Sequence, residues 1–410
     1  MDDSEGALSR RFGNFSGVES RLTLSLSGTN LERAGDYNQR IVLQAIRLAG
    51  ETTRVELAGI TGLTAPTIAN ITRRLAETGL VRPGGRLQGK RGQPAKRIVI
   101  VPEGAFAIGL NIDRDHISLA AVDLAGQVRF RHTLEIPFAL PDAVAAHVAA
   151  VLPELMVSAG IAPERVLGVG IALPDDLGRI ALPHRPQGYE AWDGLDLQAL
   201  FAQALPWPLY LDNDAAAAAL GELHLGDGIA LPGFFYLLIS AGLGGGLVID
   251  KSYVRGADSR SGEIWAMPDP PAGPDAVVQD TVSLLALYER LEAAGFPVDH
   301  PAALAAISAE AEPVIERWLD DAARSLTAPL IAMNCLINPS AVLIGGRLPG
   351  DLADGLVERL SAGLVGAKIP AVAPVQRARM ADDAPAIGAA MIPFLDQLLA
   401  SESILMQAGR

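Results

Sequence analysis

The 410-residue chain contains a single cysteine, Cys335. One thiol permits no internal disulfide, and without histidine neighbours it suggests no zinc site. No run of 18 or more apolar residues is free of charges or breakers. The nearest, Phe234 to Ile249, is short and glycine-rich, so a membrane span is not expected. The start, Met1-Asp2-Asp3-Ser4-Glu5, is acidic and lacks the apolar stretch of a secretory signal. These absences predict a cytoplasmic protein.

Half of the residues are apolar and a fifth are charged, the balance of a folded chain, and the length predicts two or three domains. The net charge of −14 is unevenly spread. Residues 36–97 carry 11 Lys/Arg against 4 Asp/Glu, residues 1–35 carry 4 against 5, and residues 98–410 carry 18 against 38. A small basic module on a large acidic body is the footprint expected when only the module touches a polyanion. Phosphate would repel the body.

Residues 1–35 read as a flexible tail, rich in Ser, Gly and charge. A helix is expected over Tyr37–Leu48, stopped by Gly50. Thr53-Arg54-Val55-Glu56 has the spacing of a capping box and opens a short helix ending at Gly59. Thr64 is positioned to cap a second helix that tolerates Pro66 in its first turn and runs to about Thr78. A glycine- and arginine-rich stretch, Val81–Gly92, and a strand at Arg97–Val101 complete a winged helix-turn-helix over 36–102.

From Ala105 onward short β-rich runs alternate with Ala/Leu helices, an α/β pattern. Strands are expected at Phe106–Ile112, Ile117–Asp123, Val128–Ile136, Val166–Ala172 and Leu209–Asp212, and helices at Asp142–Ala159 and Asp214–His224. A similar order recurs after Phe235. Two related lobes, 103–232 (completed by a C-terminal helix within 385–410) and 233–384, imply a cleft between them where a small ligand binds.

In a helix-turn-helix the second helix presents its N-terminal residues to base edges in the major groove. Here these are Thr64, Ala65, Thr67, Ile68 and Asn70. Asn70 suits a bidentate pair with adenine, and Ala65 or Thr67 suits a thymine methyl. Arg73, Arg74 and Arg54 are better placed for phosphates. In the wing, Arg86, Lys90, Arg91 and Lys96 surround Arg91-Gly92-Gln93-Pro94, narrow enough for a minor groove. The bland alternative for each residue taken singly is a cap or an ordinary solvated charge.

The runs Arg54-Val55-Glu56-Leu57-Ala58, Thr61-Gly62-Leu63-Thr64 and Gly92-Gln93-Pro94 resemble the ROK family (repressors, open reading frames and kinases) in its long repressor branch, over about residues 38–400. The resemblance implies a two-lobed actin-like ATPase (sugar kinase) fold after the winged helix-turn-helix. It also implies a sugar-type effector, and a homodimer or homotetramer reading a pseudo-palindromic operator.

ROK sugar kinases carry a phosphate loop, Asp-x-Gly-Gly-Thr. The aligned run here is Asn111-Ile112-Asp113-Arg114-Asp115, without either glycine and with two carboxylates where phosphates approach. Like charges about 4 Å apart cost roughly 4 kcal/mol at an effective dielectric of about 20. ATP binding in the family's manner is therefore expected to be lost, leaving no catalytic residue and no cofactor. The glycine run Ser240–Gly246 is an anion cradle or, preferably, a tight turn between buried strands. Gly345-Gly346 resembles the family's adenosine-side glycines, with a turn leading into a helix as the safer account.

The acceptor side is better kept. Leu211-Asp212-Asn213-Asp214 resembles the segment holding the kinase base, which makes Asp214 a vestigial base. Asn213 and Asp214 are candidates for sugar contact, with a helix-capping role for Asp214 as the alternative. Ser261-Gly262-Glu263-Ile264-Trp265 places Glu263 at the sugar-binding glutamate and Trp265 where the family has a histidine. Gln279 stands for another sugar-contacting Glu, and Pro183-His184 for a Pro-Asn pair near a sugar-facing Trp, here Trp192. The family's cysteine-rich zinc loop reads Asp269-Pro270-Pro271-Ala272-Gly273-Pro274, so no zinc is expected. The departures leave an unusual sugar, a sugar phosphate or no effector open. A regulator is favoured over an ATP-dependent sugar kinase with a DNA-binding head, and over a ligand-independent DNA-binding protein whose second domain only oligomerises.

Overall fold

A computed structural model describes residues 31–86, 96–179, 185–380 and 383–400. The first helix, α1, spans Leu31–Ala49 and so begins before the expected Asp36. It buries Val42, Leu43 and Ile46, the 3–4 spacing of one helical face. A short strand without a sequence signal, β1 (Glu51–Thr53), leads into α2 (Arg54–Thr61). The capping box is formed: Thr53 Oγ1 accepts from the Glu56 amide, and Glu56 accepts from the Thr53 amide at 2.7 Å. Helix α2 does not stop at Gly59. It ends at Gly62, whose φ of +68° supplies the left-handed cap that Gly59 does not. Thr64 caps α3 (Ala65–Glu77) as expected.

Strands β2 (Val81–Arg86) and β3 (Lys96–Ile100) pair antiparallel, and β1 adds to the outer edge of β3, giving the order β1-β3-β2. The wing is thus anchored to the start of α2. Leu57, Ile68, Ile71, Leu75, Leu80 and Ile98 share a core with α1.

The body contains two five-stranded sheets. The first is built from β4 (Phe106–Ile112), β5 (His116–Asp123), β6 (Val128–Glu135), β7 (Val166–Leu173) and β8 (Leu209–Asn213), with α4 (Pro141–Ser158) between β6 and β7 and α5 (Leu197–Phe201) before β8. Helix α6 (Asp214–Leu225) follows directly. The second sheet comprises β9 (Phe234–Ile239), β10 (Leu243–Ile249) and β11 (Ser252–Tyr253). After helices α7 (Val278–Thr281), α8 (Leu284–Ala293), α9 (Pro301–Ala305) and α10 (Glu312–Leu336), it continues through β12 (Val342–Gly346). Helix α11 (Gly350–Val365), β13 (Val375–Arg377) and α12 (Ala384–Gln397) complete the chain. The strand orders match, β6-β5-β4-β7-β8 and β11-β10-β9-β12-β13, each with an antiparallel hairpin side and a parallel side.

Helix α12 packs between α6 and the first sheet at backbone distance. A Cβ on Gly109 or Gly170 would overlap the carbonyls of Ala386 or Ala389, and one on Gly388 would overlap that of Ala217. Glycine is required there by contact.

Candidate functional site: a DNA-reading head and an interlobe cleft

In the head, Thr64, Ala65, Asn70, Arg73 and Arg74 are exposed along one stretch of α3, and Thr67 is half-buried. The hydroxyls of Thr64 and Thr67 are 2.8 Å apart, so the cap also fixes Thr67. Arg73 Nη2 donates to Asn70 Oδ1 at 2.6 Å and approaches Glu77, which holds a candidate base reader and a candidate phosphate contact on the helix surface. Ile68 is a correction: it is fully buried in the head core and reads nothing. Arg54 is exposed, but its Nε donates to Thr72 Oγ1 at 3.0 Å and ties α2 to α3. Lys96 is exposed at the start of β3. Arg86 ends β2; its side chain, together with Lys90 and Arg91, lies outside the described residues.

The cleft is lined by Arg114, Asp175, Asp176, Asn213, Asp214, Ser240, Gly242, Glu263, Trp265 and Gln279, among others. The recess encloses about 610 Å³, counting space open to solvent. Asn213, not Asp214, caps α6: its Oδ1 accepts from the amides of Ala215 and Ala216 at 2.9 and 3.1 Å. Asp214 Oδ1 also accepts from the Ala215 amide, at 2.8 Å, and its buried carboxyl borders the cleft. Burial, with the nearby charge of Asp113 adding to it and Arg114 opposing, raises its pKa to about 7. Asp175, which the sequence did not single out, is raised to about 6 by burial and by Glu263 and Asp176, with Arg260 opposing.

Three expected effector contacts, Glu263, Trp265 and Gln279, are already engaged within the protein. Trp265 Nε1 donates to Glu263 Oε2. Gln279 Oε1 accepts from the Leu243 amide at 3.0 Å and props the turn at Gly242, where a Cβ would lie 2.7 Å from that oxygen. Trp192 is a second correction. It is buried in the first lobe's core with its Nε1 on the Ala139 carbonyl, and it does not line the cleft. His184 lies outside the described residues.

The hairpin turn between β4 and β5 carries the densest charge. Asp113, Arg114, Asp115 and His116 are each at most 7% exposed. Asp113 accepts from Ser240 Oγ on the second lobe. Asp115 accepts from His116 Nδ1 at 2.6 Å and from Arg347 Nη1 at 3.1 Å, and His116 Nε2 meets Asn111 Nδ2 at 3.1 Å. Burial works against the Asp115 carboxylate, yet the bond from His116 and the charge of Arg347 outweigh it and lower its pKa. Arg114 Nη1 lies 3.5 Å from Asp113, and a Cβ on Gly242 would be 2.8 Å from it. Its Nε has no hydrogen-bond partner. Ligating atoms of Asp113, Asp115 and His116 lie within 4.8 Å of one another, but each is committed to a protein partner.

The glycine run forms the expected tight turn between buried strands, over fewer residues than its length suggests. The turn is confined to Ser240–Gly242, and Gly244–Gly246 lie inside β10, where Ala215, Gly262 and Ala219 close on them. Gly345 and Gly346 are the last residues of β12 and border a second recess of about 950 Å³, again counting space open to solvent. The Asp269–Pro274 segment is pinned by Asp269, whose Oδ2 accepts from Thr281 and Ser325 at 2.8 and 2.7 Å. Its residues do not fit a zinc ion. Among the described residues, no helix is long and apolar enough to cross a membrane.

Residues 36–82 match a winged helix-turn-helix DNA-binding domain. The chain is 28% identical over 367 residues to the uncharacterized protein y4fQ of Sinorhizobium fredii, covering 87% of this chain and 90% of that one. It is 26% identical over 232 residues to the xylose repressor of Caldicellulosiruptor bescii, which spans 55% of this chain and 57% of the repressor. A solved ROK family transcriptional regulator, a homologue of the Escherichia coli MLC protein, shares the fold with a TM-score of 0.65 at 22% identity, over 92% of this chain and 99% of that one. Sugar kinases are also among the proteins that share the fold of the body. The ROK family model covers residues 107–394, and with two matching lobes behind a winged helix-turn-helix head, this chain belongs to the ROK family.

Proposed function

We propose that this protein is a sequence-specific transcriptional repressor of carbohydrate-metabolism genes in the cytoplasm. Its head reads a pseudo-palindromic operator within a homodimer or homotetramer, and a sugar-type effector enters the interlobe cleft. The body no longer transfers phosphate. The observation that carries this reading is the turn at Asp113–Asp115. Its carboxylates are bonded to Ser240 and Arg347, and Arg114 lies against Gly242. Phosphate oxygens approaching that turn would meet buried carboxylates in place of free backbone amides. The xylose repressor among the relatives supports the effector class. Effector binding changes DNA affinity only to the extent that it favours one arrangement of lobes and head over another.

A gel shift with purified protein on its own promoter region tests the first half. Retention that resists excess competitor DNA is expected, and equal displacement by any duplex would reject the reading. A coupled ADP-release assay across hexoses tests the second. Turnover above background that disappears in Asp214→Asn would establish a kinase instead.

A further inference from the structure

Besides the apolar core that the head shares with the body through Val122, Ile387 and Phe394, three hydrogen bonds of one chemistry join the two. Arg40 Nη1 donates to the Asp396 carbonyl at 2.5 Å, in the last turn of α12. Arg47 Nη2 donates to the His224 carbonyl at 3.4 Å, in the last turn of α6. From the body, Arg165 Nη1 donates to the carbonyl of Thr78, the C-cap of α3, at 3.2 Å. The last carbonyls of a helix have no partner inside it and carry the negative end of its dipole, so a guanidinium is well matched to each.

Arg47 is the one set deepest. Burial disfavours its charged form and lowers its pKa, with Asp123 opposing. Gly126, at φ +89°, brings the β5–β6 turn so close that a Cβ there would lie 2.7 Å from Arg47 Nη2. A guanidinium partly withdrawn from water in this way leans on the His224 carbonyl, so loss of that bond costs it more than it would cost a fully solvated side chain.

The helix that Arg47 grips is the same one whose other end forms the cleft. Asn213 caps α6 and Asp214 is its first residue, one helix length of about 18 Å from Leu225 at 1.5 Å per residue. Alanines 215–219 and Leu223 are buried along it. Its contact with α12 at Gly388, Ala217 and Gly221 leaves no room for one helix to slide past the other. Resting on the regulator reading above, we propose that α6 is the connecting rod of that regulator. A change at Asn213 and Asp214 is delivered to the head by displacing the His224 carbonyl from Arg47, so that Arg47 is a positioning residue for DNA binding.

Amide hydrogen exchange on the full chain, with neither DNA nor sugar present, tests this apart from the regulator reading, whose own tests are the gel shift and ADP release. Arg47→Gln should speed exchange across residues 36–49 several-fold and leave residues 214–225 unchanged. Asn213→Ala, which removes the cap at the cleft end, should speed exchange in both segments. In the double variant, Asn213→Ala should still loosen 214–225 but add nothing over 36–49. Where Arg47→Gln loosens the whole chain, Arg47→Lys takes its place with the same expectation. The proposal is overturned if Arg47 variants leave 36–49 unchanged, if Asn213→Ala fails to reach 36–49, or if its effect there persists without Arg47.

Discussion

Arg347 Nη1 lies 3.1 Å from Asp115 Oδ2, joining residues 232 positions apart in sequence and belonging to different lobes. The same guanidinium also donates to Glu135, and both members of the Arg347–Asp115 pair are over nine-tenths buried. Removing one member of a buried pair strands the other and typically costs about 3–5 kcal/mol. Arg347→Ala should therefore lower stability by an amount of that order in urea unfolding. The loss should be clearly smaller when Asp115→Asn is already present, because the two share one interaction. Equal losses in both backgrounds would mean that the pair contributes nothing.

Stability should also fall with rising pH through the cleft. Asp214 ionises near 7 in the folded chain against an ordinary 3.8, so between those values the folded state holds a proton that the unfolded state has released. Asp175, raised to about 6, acts in the same sense. Asp115, whose pKa is lowered, acts oppositely and loses its contribution in acid. Urea titrations across this window should show the decline flatten in Asp214→Asn. An unchanged slope would mean that Asp214 titrates normally.

Two neighbours on the exposed face of α3 make separable predictions. Asn70→Ala should cost about 1–3 kcal/mol on the preferred operator and relax preference at one base position. Arg74→Ala should weaken all duplexes alike and reduce the salt dependence of binding by about one charge. Binding isotherms on matched and mutated operators at several salt concentrations distinguish the two. An Asn70→Ala loss that is uniform across sequences would remove it as a base reader.

Gly388→Ala should be far more damaging than its size suggests, since the added methyl would overlap the Ala217 carbonyl and must force α6 and α12 apart. Overpacking of this kind costs about 1–3 kcal/mol and occasionally more. Gly295→Ala is the contrast: nothing lies within 4 Å, but its φ of +89° makes the added cost one of backbone strain alone. Melting temperatures of the two variants should differ, with Gly388→Ala the lower.

A sugar that occupies the cleft should raise the melting temperature with the logarithm of its excess over Kd. Screening neutral sugars, sugar phosphates and nucleotides side by side addresses the effector class directly. Stabilisation by ATP alone, with no sugar active, would contradict the proposed function.

Most of the head was legible because its signals are local. Thr53, Glu56, Thr64 and Gly79 lie within a few residues of the amides and carbonyls that they serve, so spacing alone locates the helices. Gly59 misled because glycine composition does not reveal which of two nearby glycines takes a positive φ. The cleft was legible in its membership and not in its bonding. Asn213, Asp214, Glu263, Trp265 and Gln279 do line one recess. That Gln279 props a turn, that Trp265 donates to Glu263, and that Trp192 turns into the core are consequences of packing between segments far apart in the chain. Asp175 escaped notice because an Asp-Asp pair after a strand reads as an ordinary solvated turn until burial raises the pKa of one member.

The solitary thiol has a practical consequence. Cys335 is exposed near the end of α10, on the lobe farther along the chain from the head. A maleimide spin label would therefore tag every copy once, with no background from other thiols. In the proposed homo-oligomer, dipolar spectroscopy would read the spacing between copies directly, and titrating operator or sugar into the same sample would test whether that spacing changes.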